Sequence, residues 1–287
     1  MIIDIHTHTY PEKIAGKAVE LLVGRSGAKA HTDGTLGGLK LSTANAGIDI
    51  SVVLPVVTSP KQTEHINDVA AAVSAQFNGR GIFSFGGIHP ENDNYREILN
   101  FVSREGLKGI KLHPDYQNVF FDDIKCKRII SYATELGLAV VVHAGTDIGL
   151  PQVVHCTPDM VCNVLDDVKP DKLILAHMGG WNMWDEVYEK LCGRDVFFDT
   201  AFSVGDIDWV EGRNGDWRLL DPGKFVRLVK RHGAEHVLFG TDSPWADQEY
   251  SVRMIQNIGL TNDEKNMILG ENAKKLLFFD DLGLQYV

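Results

Sequence analysis

Apolar residues along this 287-residue chain fall into two kinds of block that alternate from one end to the other. Short β-branched runs such as Ile-Asp-Ile-Ser-Val-Val-Leu-Pro at 48–55 read as buried strands, because a parallel strand covered on both faces has little need of polar positions. Longer stretches space their apolar residues as a helix does, for example Ile66, Val69, Ala72, Val73 and Phe77. Strands are expected at 2–5, 48–55, 82–88, 107–112, 139–142, 172–176, 196–198 and 237–239. Helices are expected at 12–23, 36–46, 61–77, 92–104, 123–136, 158–168, 184–192 and 222–232, with two or three more between 248 and 279. Eight strands, each followed by a helix, predict an α/β fold, a parallel sheet closed into a (β/α)8 TIM barrel with additional C-terminal helices, built as one domain over 1–287. The competing open, doubly wound sheet usually has fewer strands and a Gly-rich first turn, which is missing here. The glycines of 24–38 match no phosphate-binding pattern and are expected to form turns or a mobile lid.

Composition narrows the partners. A hydrophobic fraction of 44% with 23% charged residues suits a soluble globular enzyme, and a formal charge of −11 disfavours a nucleic-acid backbone as partner. No apolar run approaches the roughly 18 residues of a membrane span, and no basic-then-apolar leader opens the chain, so a cytoplasmic protein is expected. Cys126, Cys156, Cys162 and Cys192 form no CxxC pair and read as reduced thiols in or near the core. Cys156 stands out because it follows His155 in a loop expected near the site.

Candidate chemistry gathers at strand ends. His6, His8, His89, His113, His143 and His177 all lie at the C-termini of expected strands, and Asp199 and Asp242 end the seventh and eighth. The period of two along a strand puts His6 and His8 on one face, with Asp4 on the same face one pleat below. In a closed barrel these ends converge at the mouth where barrel enzymes keep their active sites. His6, His8, His143, His177 and Asp242 are therefore expected to meet around one divalent metal. Imidazoles plus a carboxylate suit Zn2+, with Mn2+ or Fe2+ as alternatives. Such an ion lowers the pKa of a bound water from 15.7 toward about 7.

These residues carry a resemblance. Asp4-Ile-His6-Thr-His8, Gly109-Ile-Lys-Leu-His-Pro114, Val142-His143-Ala-Gly, Ala176-His177-Met-Gly-Gly, Phe239-Gly-Thr-Asp-Ser-Pro-Trp245 and Gly270-Glu-Asn-Ala-Lys-Lys-Leu-Leu277 stand in one order from end to end. Together they resemble the metal-dependent amidohydrolase superfamily, in particular the amidohydrolase-2 branch that includes aminocarboxymuconate-semialdehyde decarboxylase. The resemblance implies metal ligation by His6, His8, His143 and Asp242. It also implies an acid/base role for His177, and Asp242 is a ligand, a base, or both. Lys111 is expected as an unmodified lysine inside the barrel; the alternative, a carboxylated lysine, would bridge two metals.

The remaining candidates surround this centre. His113 is expected to touch substrate or steady a ligand, and Asp199 either orients a ligand histidine or caps a loop. Tyr10 follows His8 closely enough to reach the site. Trp181, Trp184, Trp209, Trp217 and Trp245 all fall late in the chain and either wall an apolar pocket or pack long loops. The segment 203–221 reads as a lid or a contact between copies in a homo-oligomer, and its Arg213 and Arg218 as substrate-carboxylate ligands or solvated side chains. Two reactions on a small molecule fit: hydrolysis of an amide, lactone or ester-like bond, and non-oxidative decarboxylation of an aromatic or unsaturated acid. Decarboxylation needs a fixed cation, and Arg25 is the one arginine between the first two strands. Hydrolysis is therefore the preferred expectation.

Overall fold

The computed structural model describes residues 1–212 and 215–277. Arg213 and the expected end of the last helix at Phe279 lie outside them. The strands are β1 (Ile3–Thr7), β2 (Ile50–Val53), β3 (Gly81–Ser84), β4 (Gly86–Gly87), β5 (Gly109–Leu112), β6 (Ala139–Val142), β7 (Leu173–Leu175), β8 (Phe197–Asp199) and β9 (Val237–Leu238). The expected third strand is broken at Phe85 into β3 and β4. The parallel pairings accordingly form one sheet of β1-β2-β3 and another running from β4 to β9. Backbone hydrogen bonds join the two. Phe85 donates to the Val53 carbonyl at 3.0 Å, and Ile5 donates to Phe239 at 2.9 Å across the seam between β1 and β9. Beyond the seam, Asp242 donates to His6 at 2.8 Å and His8 to Ser243 at 2.7 Å. The ring is a TIM barrel, and closing it removes exposed strand edges.

Alternation along the strands separates two apolar layers. Ala139 and Val141 of β6 pack with Ile3, Ile5, Val52, Phe83, Ile174 and Leu238. Val140 and Val142 pack with Ile129, Val161, Val164 and Leu228 of the surrounding helices. By the same alternation Lys111, flanked by Ile110 and Leu112 of the outer layer, turns inward. The outer helices begin where local chemistry dictates. Pro158–Val168 starts with Thr157 accepting from the Met160 amide, and Pro222–His232 with Asp221 accepting from Lys224. Proline in the first turn of each gives up an N–H the helix would leave unpaired.

One expectation fails at β1. Asp4 pairs with Ser51 but Thr7 pairs with Val53, so β1 spends one residue more than β2 over this step. Such a bulge re-aims side chains and commonly lies beside a site. The Asp4 carboxylate therefore does not share a face with His6 and His8. It accepts from Thr241 Oγ1 at 2.6 Å, from Gln248 Nε2 at 2.8 Å and from the Thr241 amide at 3.0 Å, tying β1 to the segment after β9.

His232 marks how firmly the outer layer is set. Its Nε2–H donates to the Val196 carbonyl at 2.9 Å, its Nδ1 accepts from Gly193 at 3.2 Å, and its ring stacks on Phe198. A second proton would remove the acceptor, and burial lowers the pKa from 6.5 to about 4. The unfolded chain thus binds this proton near pH 6.5 and the folded chain only near pH 4. Stability is complete above 6.5 and falls as pH drops through this window, by on the order of 3 kcal/mol in full. Urea unfolding is expected to weaken more steeply with acid for the wild type than for His232→Gln; equal slopes would refute the assignment.

Candidate metal centre and active-site cavity

At the mouth of the barrel the bulge in β1 and the turn after β9 bring three ligand atoms together. His6 Nε2 lies 3.2 Å from His8 Nε2 and 3.4 Å from Asp242 Oδ1, and His8 Nε2 lies 3.1 Å from the same oxygen. The other ring nitrogens settle which atoms carry protons. His8 Nδ1 is 2.8 Å from the Leu54 carbonyl and His6 Nδ1 is 2.7 Å from Asp199 Oδ2, so each Nδ1 donates. In the neutral rings both Nε2 atoms are then lone pairs, facing a carboxylate oxygen across little more than 3 Å. The ammonium of Lys111, with Nζ 3.2 Å from His6 Nε2, is the donor that reaches this group. A proton or a cation must occupy such a convergence of lone pairs, and a divalent metal uses all three at once. The spacing and the N2O chemistry fit Zn2+, and Mn2+ or Fe2+ as well.

Electrostatics favours the same state. Burial, then the charge of Lys111, holds His6 well below its ordinary pKa, and burial lowers His177 in the same way. Neutral imidazole is the form that binds metal. Burial works to raise Asp242, but the contact with His8 and the charge that His6 and His177 carry when protonated outweigh it and hold the carboxyl at about 2. Lys111 is fully buried and drawn down to about 8, with Asp199 and Asp242 opposing the shift.

The other expected residues take definite places. Asp199 both steadies a ring and caps a turn, since its second oxygen accepts from the His177 amide at 2.9 Å and from Ala201 at 3.0 Å. His177 donates from Nδ1 to the Ala201 carbonyl at 2.8 Å, and its Nε2 is 2.9 Å from His143 Nδ1. His143 stands one ring further from the triad, stacked on His113 at 4.2 Å between centroids. His113 Nε2 is 3.5 Å from Asp147 Oδ2, and ligand atoms of His113, His143 and Asp147 form a second group within 4.8 Å of one another. The structure thus joins His6, His8 and Asp242 directly and reaches His143 through His177. Gly145 fixes the loop after β6: its φ is +83°, and a Cβ there would meet the Trp181 backbone at 2.2 Å.

A cavity of about 520 Å3 opens over these groups. That is ample for a small organic molecule. Tyr10 and Trp245 line it, with Leu21, Leu22, Val56, Ile148, Trp181 and Phe202 supplying apolar wall. Trp184 and Trp217 instead pack behind Trp181. His89 is away from the cavity, its Nδ1 accepting from the Glu91 amide. Arg218 donates to the carbonyls of Gly215 and Trp217 and does not line the cavity either. Cys156 is buried outside the lining, its thiol pushed well up by burial.

Tyr116 and Asp147 line the cavity without having been expected there, and Arg25, named from the sequence only as a lone early arginine, joins them. Arg25 belongs to a helix, Glu12–Ser26, that runs past its expected end to a left-handed cap at Gly27 and roofs the cavity. Tyr116 sits on a one-turn helix, Pro114–Gln117, too short to show periodicity. It hydrogen-bonds Arg25, and burial raises its phenol to about 12. Asp147 lies in a loop, and burial raises it to about 6.

The amidohydrolase family model, Amidohydro_2, matches residues 3–279. The chain belongs to the amidohydrolase family. A search of curated proteins finds no match. Among solved structures, 2,6-dihydroxybenzoate decarboxylase from Rhizobium is similar with a TM-score of 0.69 at 15% identity, over 97% of this chain and 99% of that one. The 5-carboxyvanillate decarboxylase of Novosphingobium aromaticivorans, complexed with manganese and 4-hydroxy-3-methoxy-5-nitrobenzoic acid, gives 0.69 at 14% identity over 97% and 96%. An uncharacterised TIM-barrel protein from Bordetella bronchiseptica gives 0.71 at 16% identity over 98% and 99%. These likenesses establish the barrel fold.

Charge predicts the metal count. In and directly behind the cavity, Asp115, Asp147, Asp199 and Asp242 face Arg25 and Lys111, leaving two negative charges for one divalent ion to balance. A carboxylated Lys111 would leave four and call for two ions. Elemental analysis is expected to give one metal per chain, with no carbamate signal in 13C NMR after exchange with labelled CO2. His6→Ala or His8→Ala is expected to abolish metal retention.

Proposed function

We propose that this amidohydrolase-family enzyme is a metal-dependent, non-oxidative decarboxylase of a small aromatic or unsaturated carboxylic acid. The observation that carries the reading is Arg25 on the cavity roof. Hydrolysis was preferred from the sequence for want of a fixed cation early in the chain, and Arg25 lines the same cavity as the ligand triad. Arg25 is exposed at the rim, and Lys111 adds a buried cation beside the triad. Leu21, Leu22, Ile148, Phe202 and Trp245 line the same cavity with apolar surface that suits a flat apolar body. The decarboxylases of similar fold act on aromatic acids, and one is complexed with manganese, which supports the reading and keeps Mn2+ beside Zn2+ as the expected ion.

The balanced reaction is R–COO− plus H+ to R–H plus CO2. The C–C bond breaks, its electron pair stays on the substrate carbon, and a proton fills that position. His6, His8 and Asp242 would hold the ion, and a bound ion supplies a Lewis acid for the oxygens of an anionic substrate. Arg25 orients that anion by a charge-assisted hydrogen bond. The apolar wall lowers the polarity around the carboxylate, which favours its departure as neutral CO2. Asp242, held ionised, is suited to bind rather than to give a proton in the unloaded site. His177, with Nδ1–H spent on Ala201, offers Nε2 as the atom that takes up and delivers the proton.

A library of aromatic and unsaturated acids is expected to release CO2 in the presence of zinc or manganese and to stop doing so in excess chelator. Ester or amide cleavage without CO2 release would overturn the reading in favour of hydrolysis. Arg25→Met is expected to raise KM by about tenfold to a hundredfold, the worth of one hydrogen bond to a charged group, at unchanged metal content. His177→Asn is expected to lower kcat by about a hundredfold to ten-thousandfold.

A further inference from the structure

Behind the cavity wall, two buried polar atoms without hydrogen-bond partners among the described residues face each other. They are Asp115 Oδ2 and His143 Nε2, 4.0 Å apart, on residues each only 7% exposed. The distance is about 1 Å beyond a hydrogen bond, short enough for a small ring rotation to close. Asp115 is otherwise fixed. It lies on the one-turn helix after β5, and its Oδ1 accepts from the His155 amide at 3.1 Å and pairs with His155 Nδ1 at 3.0 Å. On the far side of His143, Nδ1 is 2.9 Å from His177 Nε2, which is a lone pair because His177 spends its proton on Ala201, so in the unloaded site His143 Nδ1–H donates to it.

Resting on the metal-centre reading above, we propose that Asp115 is a positioning residue that accepts the His143 proton at Nε2 when a cation displaces it from Nδ1, leaving Nδ1 as a lone pair facing His177 and the metal centre. His155 in turn holds the carboxylate in register. The consequence is local and specific. With Asp115 ready to accept Nε2–H, an incoming cation would meet His143 Nδ1 and His177 Nε2 as further nitrogen ligands. Without it, His143 keeps its proton on Nδ1, donating to His177, and that lone pair is withheld. Outer carboxylates of this kind orient metal-binding imidazoles. Asparagine at 115 is the discriminating substitution. The His155 N–H requires an acceptor, so the amide oxygen stays there and the NH2 turns toward His143 Nε2. The variant should thereby keep the proton on Nδ1 in a nearly unchanged shape.

The test uses full-length protein stripped of metal and titrated with zinc and with manganese against a chelating dye, alongside 15N NMR of labelled histidine. Asp115→Asn is expected to bind metal tenfold to a hundredfold more weakly than wild type, with the thermal midpoint of the metal-free protein retained. In zinc-loaded protein the His143 proton is expected on Nε2 in the wild type and on Nδ1 in Asp115→Asn. Equal affinity, or a zinc-loaded wild-type His143 still protonated at Nδ1, overturns the proposal. Should the variant fail to fold, the zinc-loaded wild-type tautomer alone decides. Wild-type protein that binds no divalent ion defeats the metal-centre reading itself, a separate outcome from tight binding that ignores Asp115.

Discussion

Three lone pairs pointing at one another cannot be left alone in a protein interior, and much of the barrel mouth is arranged to make them do so. His6 and His8 are held in that state from behind, by Asp199 and by the Leu54 carbonyl. Asp242 is held ionised among them. Each supporting contact comes from a different strand or strand end, so the group exists only once the ring is closed. Closure itself runs through the same residues: the Asp242 amide donates to the His6 carbonyl, and the His8 amide to Ser243. The seam that completes the sheet is also the seam that assembles the candidate ligands. Gly240 is part of that bargain, since a Cβ there would lie 2.9 Å from the Cβ of His6.

The surrounding charge is arranged around that constraint. Lys111 is buried in the barrel where hydrophobic residues fill other strands, and its ammonium survives near neutral pH because Asp199 and Asp242 oppose the cost of burial. Removing either carboxylate would strip a buried cation of part of its compensation, at a cost its burial makes large. Asp4 meets the same problem differently. Its bulge-directed carboxyl is surrounded by Thr241, Gln248 and backbone amides instead of cations. Burial still dominates and raises it to about 7.

How much of this was legible depends on the range of the interaction. The barrel was readable because each strand and helix announces itself through its own period, and the spans 139–142, 158–168 and 222–232 form as expected. The gathering of histidines at the mouth was readable because a closed ring puts all strand ends together. Asp4 was misplaced because a bulge is a relation between two strands, and the sequence of β1 alone carries no sign of it. Arg25 was undervalued because the helix was expected to end two residues before it, at 23, whereas the structure continues to Ser26. Tyr116 and Asp115 share a helix of one turn, Asp147 lies in a loop, and such elements have no periodic signature. The separation of His143 from the triad depends on ring orientations that no spacing rule encodes.

Two of the residues at the centre also carry backbone strain. His177 has φ +61° and Asp242 has φ +68°, the left-handed region that costs a residue other than glycine roughly 1–2 kcal/mol. Both stand where a strand has just ended and the chain must turn across the mouth, so a left-handed residue throws its side chain inward when an extended one would not. The strain persists because neighbouring contacts over-determine it. Asp199 accepts the His177 amide and, through its own carbonyl, the Met178 amide at 2.7 Å, while Trp184 Nε1 donates to the His177 carbonyl at 3.0 Å. Asp199 is thus bonded at once to the ring of His6 and to the strained turn that aims His177. A single carboxylate couples the geometry of His6, proposed as a metal ligand, to the aim of His177, proposed as the proton carrier, so a change at Asp199 would disturb both.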